Sequence, residues 1–70
     1  MGVIVNTGRQ AFDLSVGQVW KDRDNRSRSR LVRITEIGRT HVSVRNTGSN
    51  RLARIHLQDF VARFDLEAAS

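Results

Sequence analysis

The chain has 70 residues, 39% of them hydrophobic, which supplies one small core and excludes a second domain. It has no Cys, so disulfides, thiolate zinc ligands and thiol nucleophiles are all excluded, and a reducing compartment such as the cytoplasm is expected. The whole net charge of +5 falls within residues 21–50, where Lys21, Arg23, Arg26, Arg28, Arg30, Arg33, Arg39 and Arg45 meet only Asp22, Asp24 and Glu36; such a concentration favours a polyanionic partner.

Val3-Ile4-Val5 reads as a short strand or an arm, followed by Gly8. Phe12, Leu14 and Val16 alternate with Asp13 and Ser15, an extended lead-in to Gly17. Gly17 turns the chain into a strand at Gln18-Val19-Trp20-Lys21. Asp22 to Ser29 contains no apolar residue and is expected to be a solvated loop. Leu31 to Ile37 reads as a strand with Val32 and Ile34 inward and Arg33 and Thr35 outward. His41 to Arg45 points Val42 and Val44 inward, and Leu52 to Leu57 points Ala53, Ile55 and Leu57 inward.

Side-chain parity constrains the turns, because a one-residue slip reverses every face. The even inward residues of the first two strands require an odd loop, which Gly38-Arg39-Thr40 supplies, with Gly38 available for a positive φ. That register places Arg33 opposite Arg45 and Thr35 opposite Ser43. The next hairpin joins even inward residues to odd ones, so its loop is even. A two-residue Gly48-Ser49 turn fits, placing Arg54 opposite Ser43 and His56 opposite His41. One face of the meander then displays Arg33, Thr35, His41, Ser43, Arg45, Arg54 and His56. The C-terminal segment fits two periods. Leu57, Phe60, Val61 and Phe64 match a helix, whereas Phe60, Ala62, Phe64 and Leu66 match a strand. One helical turn near Gln58–Phe60 followed by a closing strand is the preferred reading, with a helix over 57–67 as its rival.

This order of elements resembles an SH3-like barrel, an all-β fold of about five antiparallel strands. The resemblance is to short uncharacterised bacterial and phage proteins of that fold. It rests on Gly17-Gln18-Val19-Trp20, Arg23-Asp24, Arg26-Ser27, Arg30 to Ile34, Thr47-Gly48, and the run from Ile55 to Phe60. It covers about residues 16–64. It implies a barrel domain over 16–67, with residues 1–15 as an arm or added strand, and it says little about function. A plasmid-encoded dihydrofolate reductase of similar fold is echoed only by Ala53-Arg54-Ile55-His56 and lacks two ring-lining side-chain types here.

The leading functional expectation is a non-catalytic module that contacts nucleic-acid phosphates. Its candidate residues are Lys21, Arg23, Arg26, Arg28 and Arg30 in the loop, with Arg33, Arg39, Arg45 and Arg54 beside the sheet. The alternative is a protein-interaction module that docks an acidic partner through the same face. Eleven of the twelve cations are Arg, whose planar fork suits phosphates, but codon bias in a GC-rich genome gives the same preference, so position is the stronger signal. Equally, the loop could fold back as a solvated polar loop, with Asp22 and Asp24 pairing Arg side chains of the second barrel strand. Trp20 either stacks on a base beside the arginines or covers the barrel end. His41 and His56 read as surface residues, since a zinc site needs three or four ligands. No Ser-His-Asp, paired-carboxylate or Gly-rich phosphate motif is legible, so no enzyme, metal or cofactor is expected. No apolar run approaches the ~20 residues that span a bilayer, and Met1–Asn6 lacks the features of a secretory leader, so no membrane partner is expected. Dimerisation is one way in which so small a domain gains buried area.

Overall fold

The computed structural model describes residues 2–8, 10–23 and 30–68. Two strands, β1 (Gly2–Asn6) and β2 (Ala11–Ser15), form an antiparallel hairpin. Five more strands and one helix follow in chain order: β3 (Val19–Asp22), β4 (Leu31–Ile37), β5 (His41–Asn46), β6 (Leu52–His56), α1 (Leu57–Arg63) and β7 (Phe64–Ala68). The second sheet is antiparallel with strand order β6-β5-β4-β3-β7. Its outer strands, β6 and β7, do not pair with each other, so the sheet does not close into a barrel.

The core follows from alternation. Val32, Ile34, Val42 and Val44 point to one side of the sheet and are buried there. Helix α1 brings Leu57, Phe60 and Val61 onto that side, and Phe64 follows at the start of β7. The helical period over Leu57, Phe60, Val61 and Phe64 is therefore real, and so is the closing strand. The helix is longer than one turn because three of those four residues need it to reach the core. Phe60 stacks on Phe64 at 4.8 Å between ring centroids and meets Trp20 edge-on at 5.0 Å. The N-terminal residues are neither a free arm nor a single added strand: Val5 and Leu14 of the hairpin complete the core.

Gly17-Gln18-Val19-Trp20 has a clear physical role. Gly17 adopts φ 96°, a conformation that favours glycine. Its N–H donates to the Ile34 carbonyl at 2.9 Å, and the Gln18 carbonyl accepts from the Ile34 N–H at 2.9 Å. The buried Gln18 side chain accepts from Ser15 N–H at 2.9 Å and from the Trp20 indole N–H at 3.1 Å. Its amide donates to the Asp13 carbonyl at 3.1 Å. One side chain thus satisfies the inner edge of β2 and the core tryptophan together.

Two turns depart from expectation. Arg33 does oppose Arg45, but Glu36, not Thr35, opposes Ser43. Thr35 is the extra residue of a β-bulge, and its hydroxyl donates to the Ser43 carbonyl at 3.2 Å. The bulge resolves a parity conflict: Ile34 and Ile37 both pack toward the core although they are three residues apart. Ile37 consequently pairs with Val42, the loop begins at Gly38, and Gly38 has no positive φ. At the next hairpin the register is as expected, with Ser43 opposite Arg54 and His41 opposite His56. The connection is longer, however, because Asn46 N–H donates to the Arg51 carbonyl at 2.8 Å. The Asn46 side-chain oxygen accepts from Gly48 and Ser49 N–H, and Asn50 takes φ 64° in place of a glycine.

Candidate anion-binding face

The arginines divide into two sets. The first belongs to the stems of the β3–β4 loop. Asp22 ends β3 on the core side, with only 3% of its surface exposed. A buried carboxylate needs a cation, and Arg30 supplies it at 2.6 Å, with Arg63 at 3.9 Å. The Arg30 and Arg63 guanidinia also lie 5.7 and 5.9 Å from the Phe64 ring centroid. Arg23 donates to the carbonyls of Val61 and Ala62 at the end of α1, and its Nε lies 3.4 Å from Asp65. Cations suit a helix C-terminus, where carbonyls lack intrahelical partners. Arg23 and Arg30, expected to contact a partner, are thus engaged inside the molecule.

The second set lies on the outer face of the sheet. Val19, Arg33, Arg45 and Leu52 form one row across four strands, each opposite the next. Arg33 and Arg45 are direct cross-strand neighbours of like charge, an arrangement that costs stability. Each is held by a main-chain carbonyl on its own side. Arg33 donates to Gly17 at 3.0 Å, and Arg45 donates to Asn50 at 3.2 Å and to the Asn50 side-chain oxygen at 3.3 Å. Neither is ion-paired among the described residues; the ion pairs there join Arg23 to Asp65 and Arg30 and Arg63 to Asp22. Arg54 is exposed one strand further out, opposite Ser43. Lys21 is exposed on the same face, opposite Leu31. Arg39 is exposed on the β4–β5 loop, apart from the row. Arg26 and Arg28 lie outside the described residues.

Trp20 is not a surface aromatic. It is 2% exposed, because the alternation of β3 points it inward and leaves Val19 on the outer side. His41 and His56 do meet across the strands, with ring centroids 5.3 Å apart. Their imidazoles serve local turns: His41 Nδ1 is 2.8 Å from the Thr40 hydroxyl, and His56 Nδ1 accepts from Gln58 N–H at the start of α1. Among the described residues no group of three metal-ligating side chains occurs, and no helix is long and apolar enough to cross a membrane.

Two features escape a reading of composition. Gln18 is buried and bonds to Ser15, Asp13 and Trp20, yet nothing in its residue type marks it. Arg51, just after the Asn46–Asn50 turn, lines a cleft on the inner side of β6. That cleft becomes visible only once the outer strands fail to meet. No family model, curated protein or solved structure matches the chain.

Proposed function

We propose that this protein is a non-catalytic module that binds nucleic-acid phosphates through the outer face of its sheet, centred on Arg33, Arg45 and Arg54. The observation that carries the reading is the Arg33–Arg45 pair: two like charges held side by side, neither neutralised by a carboxylate among the described residues. A phosphate between them would offset their repulsion and accept from both guanidinium forks. Lys21 and Arg54 extend the cationic surface on either side. Recognition would be of the backbone and would show little sequence preference, since among the described residues the helix, α1, packs on the core. The fold belongs to this reading as an open SH3-like barrel. What supports it is the last strand lying beside β3, the long β3–β4 loop, and the helix immediately before β7.

The test is a fluorescence-anisotropy titration of labelled DNA and RNA at about 50 mM and about 200 mM salt, where counterion release makes the largest difference. Binding at low salt that weakens steeply at the higher concentration, for unrelated sequences alike, is the expected result. No binding at about 50 mM salt would reject the reading.

A further inference from the structure

Strand β6 is an edge of the five-stranded sheet. Asn46 N–H bonds to the Arg51 carbonyl and Leu57 N–H to the Thr40 carbonyl, so the odd-numbered residues of this segment face β5. By the alternation of an antiparallel ladder, the main-chain groups of Leu52 and Arg54 point away from it. Unpaired strand edges are templates for another strand, and proteins usually blunt them. Here nothing among the described residues covers the edge. Leu52 is 62% exposed, Ala53 is exposed, and Ile55 is only half-buried. On the inner side of β6 a cleft of about 460 Å³ opens between Ala53 and Ile55 on one wall and Phe64 and Arg30 on the other. Arg51 also lines it, and no carboxylate does among the described residues.

We infer that the free edge of β6 accepts an extended segment of a partner protein whose residues alternate acidic and apolar. Main-chain bonds to Leu52 and Arg54 would hold it as a further strand. Its alternate side chains would then fall on two different surfaces. Those on the inner side would enter the cleft over Ala53 and Ile55, which calls for apolar residues. Those on the outer side would lie beside Arg54 and Leu52, with Arg45 and Arg33 behind Leu52 in its row, which calls for Asp or Glu where they meet the arginines. Charge also decides against a second copy of this chain as the occupant. Two chains of net charge +5 would bring their basic faces together, and the register centred on Arg54 would set that residue opposite itself. The site is separate from phosphate binding in its main-chain edge and its cleft, and shares only the outer arginines.

The test uses the full chain and a short blocked peptide of alternating Glu and Val, with a control of the same composition in two blocks. NMR hydrogen exchange is expected to slow at the amides of Leu52 and Arg54 with the alternating peptide, and the block peptide is expected to bind at least about tenfold more weakly. Leu52→Pro removes an N–H that β5 does not use, so the fold should persist and binding should be lost. Arg54→Glu, a substitution on the exposed face, should weaken binding by about tenfold or more. Equal binding of the two peptides, unchanged exchange at Leu52 and Arg54, or full binding by either variant would overturn the inference. So would concentration-dependent dimerisation that protects the same amides without peptide.

Discussion

Arg30 and Arg33 are three residues apart and chemically identical, yet they do opposite work. Arg30 neutralises the buried carboxylate of Asp22 and lies over Phe64. Arg33, on the outer face, has a like charge for a neighbour and no carboxylate among the described residues. The difference lies in the strand's parity and in where β3 ends. Asp22 occupies an inward position, so the cations closest to it are drawn into structure. The outward positions have no buried acid to serve, and their charge stays on the sheet surface. A basic segment in a sequence is therefore a sum of two populations, one tied into ion pairs within the fold and one without a carboxylate partner among the described residues.

This contrast can be broken deliberately. The largest effect is expected from Asp22→Ala, which would leave Arg30 and Arg63 without their buried partner. The deleted group is the buried one and both guanidinia can be hydrated, so the cost is that of the lost charge-assisted bonds, about 2–3 kcal/mol, and thermal denaturation should show Tm falling by about 10–20 °C. Gln18→Ala should follow at about 2 kcal/mol, since it strands the Trp20 indole N–H and the Ser15 N–H in the interior; chemical denaturation measures it. Arg23→Ala should cost about 1 kcal/mol by the same measurement, through the lost contacts with the end of α1. Arg45→Ser is expected to leave stability within about 0.5 kcal/mol, and to raise it at low salt by relieving the repulsion with Arg33. A destabilising Arg45→Ser with a harmless Asp22→Ala would reverse the assignment of the two sets.

Much of the sheet was legible beforehand. Val42 and Val44 against Ala53 and Ile55 dictated the parity of the second hairpin, and its register followed even though the turn itself is longer. The alternative at the C-terminus was settled by packing: Leu57, Phe60 and Val61 meet the core as a helix, and Phe64 then begins a strand that β3 can pair with. The bulge at Thr35 was concealed in the spacing of Ile34 and Ile37, which violates a regular strand, and it took the core contact of Ile37 to show which parity won. The pairing of β1 with β2 was not legible, because two short apolar runs near a chain end have no turn signal beyond Gly8. The outer-face arginines were identifiable by alternation alone. The pairing of Asp22 with Arg30 was one of the two readings open for the loop, whereas the engagement of Arg23 was not legible, because it depends on the ends of α1 and β3 meeting in space.

The most direct test of the outer face is the salt dependence of nucleic-acid binding, measured for the natural chain and for a variant with Arg33, Arg45 and Arg54 all changed to Gln. Each phosphate contact contributes roughly 0.9 to the slope of log K against log salt for duplex DNA. The variant should lose about 2–3 from that slope while keeping its Tm, and weaken for every sequence alike. An unchanged slope and affinity in a folded variant would contradict the account and move the binding surface elsewhere on the molecule.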